Sequence, residues 1–362
     1  MRINNKDYTR AELLERVGNV TQLGGTRHYT LADGRAKGVA AVDFDTGAGL
    51  RFTVLPDRAM DISTASYKGL NLVHKTANGE VNPSFYDAQG AEWLRTFFAG
   101  LLTTCGLRNL GGSCEDNGEG LGVHGRQSAT PASQVRDTSG WRGDEYVMEL
   151  TGVTEDCVLF GDKLRLTRTI TSKLGDRMLV IRDTVENFGY ASSPFVILYH
   201  INPGFPLLDA GSRLKLSAIQ SSASNERSRT AMPDMFSFTA PIPGFQEQNF
   251  LHTMGADSDG SAYVSFANPE LAGGLGLYIR YDARALPYCS EWRMMGRGDY
   301  VVGLEPCNCP CECRATLRER DQLPFIEPGE VKEIEVEIGV LDGPDDIAAF
   351  EKGIDYVLEG GK

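Results

Sequence analysis

LRLTRTI, residues 164–170, decides how this chain is read. Leu164, Leu166, Arg168 and Ile170 share one face of an extended segment, while Arg165, Thr167 and Thr169 share the other. A period of two belongs to a strand with one buried side. Leu174-Gly175-Asp176 then breaks the pattern and Met178 to Val185 resumes it, which predicts a hairpin. Near the far end, VKEIEVEIG (331–339) alternates apolar residues with Lys and Glu, a sheet with one wet face.

The same signal recurs outward from these segments. Gly38 to Val54 reads as two strands joined by the turn Thr46-Gly47-Ala48-Gly49. Further strands are predicted at Phe195–Tyr199, Arg213–Leu216, Ala262–Phe266, Gly276–Tyr281 and Tyr300–Leu304. Helices are few. Arg10–Val17 begins with a capping box, Thr9 followed three residues later by Glu12. Ala91–Phe98 is a second candidate, and Pro344–Glu359 a third, with Pro344 and Asp345-Asp346 suited to a helix start. No internal repeat and no Pro/Ser-rich linker interrupts the run from Gly38 to Gly339. The expectation is all-β: a large antiparallel sandwich in a single domain over residues 1–362, with 1–37 as lead-in and 344–359 as a C-terminal helix.

Composition narrows the partners. A net charge of −13 lacks the basic surface that replaces counterions around phosphates, so no nucleic acid is expected. It also disfavours anionic membranes, and no stretch approaches the roughly 20 apolar residues of a membrane helix. MRINNKDYTR has no apolar signal core, so the chain is read as cytoplasmic and its eight cysteines as thiols. No dense Lys/Arg cluster points to a phosphate; a neutral small-molecule partner such as a sugar is compatible with this balance, which does not select one. A homodimer is the assembly left open.

Four clusters carry candidate chemistry. Gly122-Val123-His124-Gly125-Arg126 sets a histidine between glycines that leave room for a ligand; a turn histidine bonded to backbone is the structural alternative. In the second, the strand FVILY runs into His200 and Asn202 before a Pro-Gly break, where a sheet presents side chains at a pocket mouth, or else buries a core histidine. In the third, Glu305 ends the apolar strand YVVGL; half-desolvated there, it gains a raised pKa and suits a base. Glu291 and Arg293 flank Trp292 on one strand face, as ligand contacts or as an ion pair. Arg58 and Asp61, in PDRAMD, could anchor hydroxyls or close a loop. Cys307, Cys309, Cys311 and Cys313 alternate, so an extended segment would project all four to one face, as metal ligands or as a row of thiols.

These residues, in this order, make the chain resemble the aldose 1-epimerase (galactose mutarotase-like) superfamily, in particular its poorly characterised bacterial branch. The stretches that carry the likeness are the His-Gly loop, DTVENFG, YHIN and GLEP, within residues 38–339. The resemblance implies a β-supersandwich with a sugar cleft on one face and no cofactor. It implies that His200 protonates the ring oxygen, that Glu305 takes the proton from the anomeric hydroxyl, and that His124 supports them. Arg58, Asp61, Arg126, Asn202, Glu291 and Arg293 are the predicted substrate contacts. The family's sugar-binding aspartate, between the second histidine and the glutamate, finds no evident counterpart. Two other readings use the same fold: a metal-dependent sugar isomerase with ligands drawn from His124, His200, Glu291 and Glu305, and a non-catalytic carbohydrate-binding module.

Overall fold

The hairpin expected at residues 164–185 lies in the middle of a nine-stranded antiparallel sheet. Strands Lys163–Lys173 and Met178–Asn187 pair with Ile170 opposite Ile181 and Leu166 opposite Val185, so the alternating apolar residues meet on one face. Val331–Asp342 continues the sheet with Ile338 opposite Leu179. The computed structural model describes residues 2–3 and 6–360; the chain ends included in the single-domain reading lie outside the described residues.

The sequence reading missed the longest strand, Glu145–Cys157, which pairs along its whole length with Lys163–Lys173. Gly152 masks it in the pattern. A Cβ there would come 2.8 Å from the Met60 sulfur, so the gap belongs to packing between sheets.

A five-stranded sheet holds Gly25–Thr30, Ala40–Asp45, Leu50–Leu55, Asp61–Tyr67 and Leu70–Asn71. The third sheet has six strands, labelled β1 to β6 in chain order: Thr103–Leu107, Val196–His200, Ala218–Ala223, Gln248–Met254, Tyr288–Met295 and Tyr300–Cys307. Their order across the sheet is β3-β4-β5-β6-β2-β1. One face of it supplies Ile197, Tyr199, Val302 and Leu304 to a core shared with Leu164, Leu166 and Ile181 and with Phe44, Phe52 and Val54. Each such side chain contributes about 1.5–3 kcal/mol on burial. The opposite face carries a smaller cluster that includes Trp93, Phe97, Leu198, Cys307 and Leu317, roofed by loops. That second face bears the site.

The three sheets meet at a buried ionic knot. Arg168 donates to Asp183 Oδ2 at 2.6 Å and to Asp61 Oδ1 at 3.0 Å. Tyr199 Oη donates to Asp183 at 2.7 Å, and Thr104 donates to Asp61 through both its backbone N–H and its hydroxyl. Asp61 is therefore no sugar contact. Its oxygens are used within the core, where burial outweighs Arg168 and pushes its pKa up to about 6.

Helices follow the expected caps. Arg10–Leu14 has the predicted capping box, Thr9 Oγ1 accepting from Glu12 N and Glu12 accepting from Thr9 N. Pro344–Leu358 is the C-terminal helix. Ala91–Phe98 yields only a 3₁₀ turn, Glu92–Arg95, because the Thr96 hydroxyl bonds back to the Trp93 carbonyl and the chain turns away through left-handed Ala99 and Gly100. No helix among the described residues is long and apolar enough to cross a membrane.

Candidate active site

His200 ends β2 and Glu305 lies on β6, the adjacent strand, so both side chains project from the same sheet face. His200 Nε2 and Glu305 Oε1 stand 3.1 Å apart. They are 4% and 2% exposed, too little for water to solvate either charge. Burial pushes Glu305 up to about 8 and His200 down to about 3, in both cases by penalising the charged form. At neutral pH burial therefore favours the uncharged pair, a protonated carboxyl beside a neutral imidazole.

Strand alternation adds the next residues. Ser290 lies opposite Glu305, where its hydroxyl works to lower the carboxyl's pKa; Trp292 lies opposite Gly303. Gly303 makes room for the pair, because a Cβ there would lie 2.4 Å from Glu305 Oε1 and 2.9 Å from His200 Cε1. The Trp292 ring sits 5.6 Å from the His200 ring, and the Phe97 ring sits 5.1 Å from it. Phe97 and Trp292 meet edge to face with ring centres 6.5 Å apart.

His124 reaches the site from the glycine loop with its ring 6.0 Å from that of His200 and 4.7 Å from Trp93. Burial lowers its pKa to about 4, and its Nδ1 is buried without a partner, as is His200 Nδ1. The loop glycines do something other than admit a ligand. A Cβ on Gly122 would strike the Ala88 carbonyl at 2.3 Å, and one on Gly125 the Gly106 carbonyl at 2.3 Å, so they let backbone pack on backbone. His124 itself adopts a left-handed φ of 55°, held by its N–H donating to Gly111 O.

Outside the two rings opens a cleft of about 370 Å³, lined by His74, Asn78, Phe97, Glu247, Trp292 and Asp299 among others. Glu247 accepts a 2.9 Å hydrogen bond from Trp292 Nε1, and its charge helps raise the pKa of Glu305. No Lys or Arg lines the cleft.

Against known proteins, residues 36–340 match the family model described as a domain of unknown function, DUF4432. The chain belongs to the DUF4432 family. No curated protein matches it. Among solved structures, this DUF4432 chain is similar to a "putative aldose 1-epimerase" from Klebsiella pneumoniae, at 22% identity and TM-score 0.89 over 98% of this chain and 95% of that one. A galactose mutarotase-like protein from Clostridium acetobutylicum follows at 12% identity and TM-score 0.61, over 88% and 99%. Galactose 1-epimerase from Lactobacillus acidophilus gives 11% and 0.58, over 88% and 99%. These likenesses establish the galactose mutarotase-like fold of the DUF4432 chain.

Several predicted contacts fall elsewhere in it. Arg58 is buried and donates to the carbonyls of Ser128, Val81 and Thr96, which closes a loop. Arg126 is exposed beside Asp156, lining a small hollow away from the cleft. Asn202 is buried and bonds to the carbonyls of Gly100 and His200, so it fastens the end of β2. Glu291 and Arg293 point to the inner face of β5, opposite Ser290 and Trp292. There Glu291 meets His252 at 3.2 Å and Arg293 holds the carbonyls of Asp234 and Ser237. The period of two that groups them together also carries them away from Glu305, so the ligand set His124, His200, Glu291 and Glu305 does not converge.

The cysteine row does not stay extended either. Cys307 ends β6 and the chain then turns: Cys309 is buried, Cys311 packs by Gly111, and Cys313 caps the helix Arg314–Glu319. Among the described residues, no three His, Cys, Asp or Glu side chains are arranged to hold a metal. Sequence reasoning missed Phe97, Gly303, Ser290 and Glu247. Ser290 and Gly303 could have been found by pairing SEWR with VVGLEP in register; Glu247 sits in a loop with no periodic signal.

Proposed function

We propose that this protein is a cofactor-free sugar isomerase of the aldose 1-epimerase type, interconverting the anomers of a neutral aldose. The observation that carries the reading is the buried 3.1 Å contact between His200 and Glu305. Ring opening of a hemiacetal needs a base at the anomeric hydroxyl and an acid at the ring oxygen in the same step. In the ion-pair form, the Glu305 carboxylate takes the O1 proton, the C1–ring oxygen bond breaks, and His200 gives its proton to the ring oxygen. The pair ends with its one proton on Glu305, so the net count is unchanged. Rotation about C1–C2 and the reverse transfers close the ring on the other face.

Burial favours the neutral form of the empty pair, and hydroxyls arriving between the two groups restore the solvation that the ion-pair form lacks. Phe97 and Trp292 offer apolar faces to sugar C–H groups, and Glu247 offers an acceptor for hydroxyls. A cleft with Glu247 and Asp299 and no Lys or Arg disfavours phosphorylated and acidic sugars. The fold shared with proteins named as epimerases supports the same reading.

Polarimetry on freshly dissolved single anomers tests it. Acceleration of the approach to equilibrium is expected for at least one neutral aldose, with a loss of about 10²–10⁴-fold in Glu305→Gln. No acceleration across a broad panel of aldoses ends the proposal.

A further inference from the structure

Cys114 and Cys313 lie 199 positions apart in the chain (313 − 114) and meet in the fold. Cys114 opens the hairpin Cys114–Asp116/Glu119–Leu121, and Cys313 is the N-cap residue of the helix Arg314–Glu319. That helix is strapped to the hairpin: Arg314 and Arg318 both donate to Asp116, at 2.7 and 2.8 Å, and Arg314 also donates to Glu119 at 2.7 Å. Between them, Asn109 Oδ1 accepts from Arg314 N at 2.9 Å and lies 3.9 Å from Cys114 Sγ. Each thiol lies within the electrostatic reach of the other and of the Ala315 N–H. Both residues are partly open to solvent, unlike Cys105, Cys289, Cys307 and Cys309.

We propose that Cys114 and Cys313 are a redox modification site, closing to an intramolecular disulfide when a hydroperoxide is present and reopening with a dithiol. The first step joins the Cys313 thiolate sulfur to the terminal peroxide oxygen as the O–O bond breaks. For hydrogen peroxide this leaves a sulfenic acid and, after protonation, water. The Cys114 thiolate then attacks the Cys313 sulfur, the S–O bond breaks, and the departing hydroxide takes up a proton to become a second water. The two sulfurs lose two electrons and one peroxide gains them.

The local chemistry sets this order. Burial works to raise the Cys313 thiol, but Thr316 Oγ1 at 3.3 Å, the Ala315 and Thr316 N–H groups and Cys114 together bring it below the ordinary value. Cys114 is raised by burial, so Cys313 is the thiol that meets the peroxide first. The clasp would fall beside the loop that carries His124, because Asn109 also donates to Gly122 O at 2.7 Å. It stands independently of the reaction proposed above.

The test is peptide mapping of the reduced full-length protein after a short exposure to hydrogen peroxide and a maleimide quench. Residues 109–126 should appear cross-linked to residues 298–314, with two hydrogens lost and dithiothreitol restoring both peptides. The cross-link should vanish in Cys114→Ser and in Cys313→Ser and persist in Cys311→Ser and Cys157→Ser. In a separate reaction of the reduced protein with limiting iodoacetamide, Cys313 should be alkylated ahead of the exposed Cys157. Maleimide on both Cys114 and Cys313 after oxidation, or a cross-link that survives Cys313→Ser, overturns the proposal.

Discussion

Gly303→Ala tests how the pair is built. Gly303 lies on β6 in ordinary strand backbone, so alanine introduces no strain of its own there. Its Cβ would meet Glu305 Oε1 at 2.4 Å, His200 Cε1 at 2.9 Å and Trp292 Cβ at 3.2 Å. Ordinary contact begins near ~3.5 Å, so the carboxylate must retreat by about 1 Å. The 3.1 Å contact between His200 and Glu305 cannot absorb that and stay within reach of direct proton transfer. Misplacement on this scale costs about 100-fold in turnover. Overpacking costs roughly 1–3 kcal/mol of stability. Polarimetric kcat and KM, measured beside thermal unfolding, separate the two effects: kcat should collapse while KM moves little. Gly353→Ala, on the C-terminal helix with nothing within 4 Å of the added Cβ, is the control. A folded Gly303→Ala protein whose kcat stays within about threefold of wild type would falsify the placement of the pair at the reacting bond.

Two further outcomes follow from the buried charges. Glu305 has a folded pKa of about 8, above its unfolded value near ~4.5, so the stability it contributes is complete below that lower value and is lost as pH rises through about 8. His200 and His124, depressed to about 3 and about 4, contribute stability that is present above ~6.5 and lost as pH falls towards those values. Chemical denaturation across this range should show both limbs, and Glu305→Gln should abolish the alkaline one; an unchanged alkaline limb counts against the raised carboxyl. Arg168→Met leaves Asp61 and Asp183 buried without their cation and should cost about 3–5 kcal/mol in urea unfolding. A loss below about 1 kcal/mol would show that the knot is dispensable.

Much of the architecture was legible along the chain because a half-buried strand writes its period into the sequence. LRLTRTI, MLVIRDTV and VKEIEVEIG occupy adjacent strands with the expected faces inward. The capping box at Thr9 and Glu12 formed for a local reason, three residues apart on one turn. Glu145–Cys157 escaped because Gly152 answers to Met60, a residue far away in the chain, in the turn before Asp61–Tyr67. Ala91–Phe98 misled because its aromatic residues pack over His200 and His124 instead of forming a helix face.

The candidate site divides in the same way. His200 and Glu305 could be singled out because each stands at or near the end of an apolar strand, where a polar side chain is conspicuous. Their 3.1 Å separation could not, since it depends on which strands become neighbours and in what register. Register likewise turned Glu291 and Arg293 inward, committed Asp61 to Arg168, and spent Arg58 on three carbonyls. By itself the sequence determined the strands, their wet and dry faces, and two of the polar groups worth watching, because those depend on residues a few positions apart. Only the tertiary structure decided which polar groups share a face, because strand neighbours distant in the chain set the burial and the partner on which each charge depends.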